Sequence, residues 1–213
     1  MKKLGILLSG RGSNFEAIAR NVANGSLEAE IAVVISNRPN ARGIEIARAM
    51  GLHARSIPSQ GIDRAAYDAT LAAALQSHSV DLVCLAGFMR LLSASFIHEF
   101  PMRILNIHPS LLPAFPGLDA QEQALRHGVK VSGCTVHFVD EHLDAGPIVA
   151  QAAVPVLDDD TVESLSARIL VEEHRLYSEA IRLILSGDWR LEGRRLMHPV
   201  DPRSTTTTSK RLI

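Results

Sequence analysis

The chain reads as an α/β protein: a mostly parallel sheet with helices on both faces, followed by an antiparallel strand pair and a long helix. Three observations predict this. Short apolar runs alternate with longer stretches of helical period through the first half of the chain. Such alternation builds right-handed βαβ units and therefore parallel strands. Farther on, two strand-like runs at 131–139 and 148–156 are joined by a short loop, and a long helical pattern follows them.

Residues 4–9 (LGILLS) form the first strand, and 14–23 carry Phe15, Ile18, Ala19 and Val22 at helical spacing. A second, β-branched strand follows at 31–36. Residues 42–50 read as a helix closed by Gly51, since glycine adopts the conformation just past a helix end without strain. A short strand at 52–56 precedes an alanine-rich helix at 64–76, with Asp63 placed as its cap. The run 80–86 (VDLVCLA) is almost wholly apolar, as suits a strand covered on both faces. A short helix at 93–100 and a strand at 103–107 come next. The segment HPSLLPAFPG cannot be regular structure, because its prolines lack backbone donors. Residues 118–127 are helical up to Gly128, and the strand pair follows with 140–147 as its loop. The long helix, 162–185, starts at Asp160 and Thr161 and stops at Gly187. A weak hairpin around Gly193 is expected over 189–197. The strand and helix order is Rossmann-like.

A length of 213 residues with 46% hydrophobic and 21% charged residues is ordinary for a globular protein. A net charge of −1 argues against a nucleic-acid partner held by a broad basic face, while leaving room for a small phosphorylated ligand. Cys84 and Cys134 lie in apolar runs and read as buried thiols rather than a disulfide, which fits a reducing compartment. The apolar start is too short for a signal peptide, and no run approaches the ~18 residues of a membrane span. A cytoplasmic protein without membrane contact is expected.

Four segments could carry chemistry. Ser9-Gly10-Arg11-Gly12-Ser13-Asn14 joins a strand to a helix, where unpaired N–H groups and the positive dipole end can hold a phosphate. It is neither a G-x-G-x-x-G fingerprint, since Phe15 stands at the third glycine, nor a P-loop; an ordinary tight turn is the alternative. Asn106 and His108 alternate onto one face at the C-terminal end of a strand, about 7 Å apart. There an amide and an imidazole can converge on one oxygen, as acyl transfer requires. A structural Asn and a core-edge His would look the same, but the proline loop that follows favours a site. The acidic loop with Asp140, Glu141, His142, Leu143 and Asp144 is either a solvated turn or the source of a carboxylate, Asp144, that keeps a histidine protonated. His108, His137, His142 and Asp144 match no compact metal-ligand spacing, so no metal is expected. Glu172-Glu173-His174 in the long helix is an exposed charged face or a functional one, with Ile169, Leu176 and Ala180 on the apolar side.

Taken in order and spacing, ISNRPNARG, VCLAGFMRLLS, LNIHPSLLPAFPG, GCTVHFVDEHLDAGPI and EEHRLY resemble the glycinamide ribonucleotide formyltransferases of the purine pathway, from Leu4 to about Leu191. The resemblance implies a formyltransferase fold and direct transfer from 10-formyltetrahydrofolate, a co-substrate, with no metal. It implies that Asn106 and His108 stabilise the formyl oxyanion and that Asp144 keeps His108 protonated. Gly12, Ser13 and Asn14 would hold the ribonucleotide phosphate, and Glu173 its ribose or glycinamide part. Arg64, Met89, Arg90, Leu91, Leu92, Asn106 and the loop Asp140, Glu141, His142, Leu143, Asp144 would line the folate site. A cis bond before Pro113 is implied as well. The chain departs from the family pattern at Leu170, Ser178, Asp140 and His142.

Residues 1–198 are accordingly expected to form one domain, with a nucleotide-binding half at 1–100 and a folate and catalytic half at 101–198. From Pro199 the composition turns polar, and 199–213 read as a poorly ordered tail. Small-molecule substrates and a monomer or homodimer are expected. Three alternatives compete with this reading. A formyltetrahydrofolate hydrolase would share Asn, His and Asp but carry an N-terminal regulatory domain. A methionyl-tRNA formyltransferase would need more positive charge and an RNA-binding domain. A non-catalytic nucleotide-binding module would leave Asn106, His108 and the proline loop without a role.

Overall fold

Successive residues of the first strand, β1 (Lys2–Leu8), enter opposite apolar layers: Leu4, Ile6 and Leu8 one of them, Leu7 the other. The strand is therefore buried on both faces, as a central strand of a parallel sheet must be. The computed structural model describes residues 1–198; the expected tail at 199–213 lies outside the described residues. β1 is flanked by β2 (Ala29–Ser36), which leads to β3 (Ala54–Ser56), and by β4 (Leu82–Leu85), which leads to β5 (Ile104–His108). These five run parallel. Antiparallel β6 (Val131–Phe138) and β7 (Ile148–Pro155) continue the sheet, and the hairpin β8 (Arg190–Glu192) and β9 (Arg195–Met197) closes it. Among the described residues the order is β3-β2-β1-β4-β5-β6-β7-β9-β8.

One apolar layer lies beneath α1 (Ser13–Ala23), α2 (Arg42–Ala49), α5 (Ala120–His127) and α6 (Val162–Ser186); the other lies beneath α3 (Arg64–Ser77) and α4 (Ala94–Glu99). Thr161 and Ser164 form a reciprocal capping box at the start of α6, and Gly187 ends it in the left-handed conformation. Tyr177 ties this helix to the sheet, its hydroxyl lying 2.9 Å from the Leu105 carbonyl and 3.1 Å from that of Leu85. Ser178 accepts a hydrogen bond from Asn21 of α1 at 2.8 Å.

All the expected elements form, with shifted ends. The strand expected at 103–107 runs one residue further, so His108 joins the ladder opposite Thr135. α5 begins at Ala120 rather than 118, because Gly117 and Asp119 take positive φ and break the helical run. Cys84 and Cys134 are free and buried, and burial pushes both thiols up. No helix among the described residues is long and apolar enough to cross a membrane.

Candidate active site

Strand parity and register assemble the central group. Asn106 and His108 share one side of β5, and the antiparallel ladder sets His137 opposite Asn106 and Thr135 opposite His108. A register shift between Val136 and His137 marks an irregularity in the β6–β7 ladder beside them. The loop after β6 then folds back tightly at Gly146, where a Cβ would stand 1.8 Å from the Phe138 carbonyl oxygen. That return delivers Asp144, at φ 49°, to the two histidines.

Asp144 Oδ2 lies 3.4 Å from His108 Nδ1 and accepts the Gly117 N–H at 2.8 Å, while Oδ1 lies 3.7 Å from His137 Nε2. His108 Nε2 lies 2.8 Å from the Phe115 carbonyl oxygen. A carbonyl only accepts, so Nε2 carries the proton of that bond. The same logic puts a hydrogen on His137 Nδ1, which meets the Phe138 carbonyl at 2.8 Å. Burial holds the His137 imidazole below its ordinary 6.5, outweighing the Phe138 bond and the Asp144 charge, so the ring is neutral at neutral pH. Its Nε2 is then an acceptor, and takes the Asn106 Nδ2–H at 3.2 Å. This orients the Asn106 amide and leaves its second N–H for a ligand.

The proline loop is tied down from the neighbouring strands. Thr135 Oγ1 donates to the Ser110 carbonyl at 2.7 Å and accepts the Leu112 N–H at 3.0 Å. Gln151 Nε2 donates to the Leu112 carbonyl at 2.9 Å, and Ser110 Oγ to that of Ala114 at 2.5 Å. The Leu112–Pro113 bond is cis, as the resemblance implies. Together these contacts hold the Phe115 carbonyl against His108.

A second group surrounds the start of α1. Gly12 precedes the helix at φ 82°, and a Cβ there would stand 2.8 Å from Gly43 Cα, so only glycine fits. No side chain caps the first turn, which leaves its N–H groups beside Ser13 for an anion. Asn14 is placed differently from expectation: its buried amide donates to Glu173 Oε2 at 2.8 Å, so one side-chain donor expected for the phosphate is engaged elsewhere. Asn14 Oδ1 is buried without a partner. Glu173 is buried, and burial raises its carboxyl against the lowering effect of Asn14, whereas Glu172 faces out to pair with Arg175 at 2.7 Å. The two readings of that helix segment thus apply to adjacent residues.

The third group is spread over one helix and two loops. Arg64 is exposed in the first turn of α3, just after the Asp63 cap. One turn on, the Tyr67 ring lies 4.8 Å under the Arg90 guanidinium. Arg90 also donates to the Ile62 carbonyl at 3.2 Å. Met89 and Leu91 are exposed, and Leu92 packs on the same apolar layer as Val139, which precedes the 140–144 loop. In that loop Asp140 accepts the His142 N–H at 2.9 Å, Glu141 pairs with His98 of α4 at 3.1 Å, and Leu143 is exposed beside Gly117.

Leu7, Leu85, Asn106 and His137 are register partners across β1, β4, β5 and β6. The loop after β1 therefore stands two strands, about 10 Å, from Asn106; the 140–144 loop follows antiparallel β6, while the first loop, residues 89–92 and His108 lie at the C-terminal ends of parallel strands. Open α/β sheets bind ligands there. Sequence reasoning weighed His137 only as a metal ligand and missed Thr135, Ser110 and Gln151. The i, i+2 spacing of Thr135 and His137 was the available signal. Among the described residues no group of three or more His, Cys, Asp or Glu side chains is arranged to hold a metal ion.

The formyl transferase family model matches residues 2–181. The chain is 42% identical to the phosphoribosylglycinamide formyltransferase of Bacillus subtilis, over 87% of this chain and 95% of that one. The solved structure of glycinamide ribonucleotide transformylase 1 from Symbiobacterium toebii is 56% identical with a TM-score of 0.90, covering 92% of this chain and 93% of that one. The trifunctional purine biosynthetic protein adenosine-3 of Drosophila melanogaster is 47% identical over 87% of this chain, which spans only 14% of that protein's length.

Proposed function

The chain belongs to the formyl transferase family, and from that premise we propose that it is a one-carbon transferase of purine biosynthesis that passes the formyl group of 10-formyltetrahydrofolate directly to the amine of glycinamide ribonucleotide. The observation that carries this reading is the convergence of Asn106, His108 and Asp144 at the end of β5.

In the first step the neutral amine attacks the formyl carbon, a C–N bond forms, and the formyl oxygen becomes negative. The free N–H of Asn106 and the Nε2–H of His108 are the donors for that oxygen. For His108 this means exchanging its present acceptor, the Phe115 carbonyl at 2.8 Å, for the oxyanion. Asp144, facing Nδ1 at 3.4 Å, stabilises the ring carrying protons on both nitrogens. Collapse of the intermediate breaks the bond to the folate nitrogen, and water relays the surplus amine proton to that nitrogen. Ser110 of the proline loop donates to the Ala114 carbonyl rather than to a base, and Cys84 and Cys134 are buried, so none of them is set to form a covalent intermediate.

The α1 N-terminus with Gly12, Ser13 and, through its backbone N–H, Asn14 would receive the phosphate, and Glu173, held by the Asn14 amide, the sugar or glycinamide. Arg64, Met89–Leu92 and the 140–144 loop would take the folate. The folate-lining set thus draws on both halves of the domain. A spectroscopic assay of tetrahydrofolate release from the formyl donor tests the reading. Release that depends on the ribonucleotide is expected; equal release with water alone would instead mark a hydrolase.

A further inference from the structure

Three buried polar side chains at strand ends are left unused by that mechanism. Ser9 follows β1, Asn37 follows β2 and Ser59 follows β3, and they are 2%, 8% and 8% exposed. They are joined head to tail. Ser9 Oγ donates to Asn37 Oδ1 at 2.6 Å, and Asn37 Nδ2 donates to Ser59 Oγ at 3.2 Å. At one end Ser9 Oγ accepts the backbone N–H of Met89 at 2.7 Å. At the other, Arg90 Nη1 donates to the Ser59 carbonyl at 3.4 Å, so the chain closes on the residue next to Met89. Backbone bonds reinforce it, from Ser9 N to Gly87 O at 3.0 Å and from Ser59 N to Asn37 O at 3.1 Å.

Burying three such groups is costly unless each is satisfied, and apolar residues would close these strand ends without that demand. A hydrogen-bonded chain adds direction, which apolar contact lacks. The chain leaves the 89–92 segment at Met89, passes through Ser9 at the start of the phosphate loop and then Asn37 and Ser59, and returns to the same segment at Arg90. We propose that Ser9 and Asn37 are positioning residues that hold the phosphate loop and the folate-lining segment in register, so that binding of one substrate favours the other. This rests on the assignment of both segments to substrates made above.

The test measures glycinamide ribonucleotide binding to the full chain by calorimetry, with and without saturating tetrahydrofolate, a pair that cannot react. In wild type, tetrahydrofolate is expected to tighten ribonucleotide binding about fivefold or more, and Ser9→Ala and Asn37→Ala to bring that factor within about twofold of unity. A merely structural role would lower melting temperature, or both affinities together, and leave the factor as in wild type. That result overturns the proposal, as does a wild type without coupling. A wild type that binds neither ligand overturns the functional reading and this inference with it. Binding of both with the same factor in folded variants overturns this inference alone. The Met89 amide resonance gives a second readout that needs no variant. It is expected to move when ribonucleotide binds alone, and an unmoved resonance contradicts the coupling.

Discussion

His137 shows how one neutral ring can arrange two charged or polar neighbours. Its Nδ1–H is fixed by the Phe138 carbonyl, so its Nε2 must accept, and the Asn106 amide is turned to suit. Sequence parity was enough to pair Asn106 with His108, because they lie on one strand. It could not find His137, since that contact depends on the register between β5 and β6, nor show that Asp144 meets His108. Each donor to the oxyanion has a measurable weight. Asn106→Ala and His108→Ala are each expected to lower turnover about 10²–10³-fold, with the melting curve little changed. Steady-state kinetics on the folded variants checks this, and full activity in either would remove that residue from the oxyanion site. Asp144→Asn keeps an acceptor but no charge opposite Nδ1. It is expected to lower turnover while leaving ribonucleotide affinity near wild type; a loss confined to affinity would mean that Asp144 serves binding instead.

At the scale of elements, α6 shows functional and structural demands meeting on one helix. Its buried face carries Leu165, Ile169, Leu176 and Ile181, all legible from the 3.6-residue period, yet Glu173 is buried among them. The period alone could not separate Glu173 from half-buried Glu172, because the partner that accounts for its burial, Asn14, lies 159 positions away. Burial raises the Glu173 carboxyl above its ordinary 4.5. A carboxyl raised in this way binds its proton more tightly folded than unfolded, so its contribution is complete below 4.5 and is lost as pH rises through the folded-state value. Glu173→Gln keeps an acceptor for Asn14 without the charge. The two proteins should melt together below pH 4.5, and the variant should melt higher as pH rises while binding the ribonucleotide more weakly. Thermal melts across pH decide this, and a variant that melts lower at neutral pH would contradict it. At the start of the same helix, Thr161→Ala removes one arm of the capping box and should cost about 1 kcal/mol in denaturant titration; no change would mean that the end frays regardless.

Across the whole molecule, one continuous sheet carries both substrate assignments. Its alternation of strands and helices was legible because the apolar runs are short and several helical runs end at glycine, as at Gly51, Gly128 and Gly187. Less legible were the edges and irregularities: the parallel contact of β9 with β7, and the register shift beside His137, both arise from packing rather than from local pattern. Those non-local features, together with the tight return at Gly146, bring Asp144 to His108 and turn a strand end into a site. The central claim is that this site joins the formyl carbon directly to the ribonucleotide amine. Carbon-13 NMR with a labelled formyl group on the folate tests it most directly. The label is expected to appear on the amine nitrogen of the ribonucleotide in equal amount to the tetrahydrofolate released. Label recovered as formate in the presence of saturating ribonucleotide would contradict it.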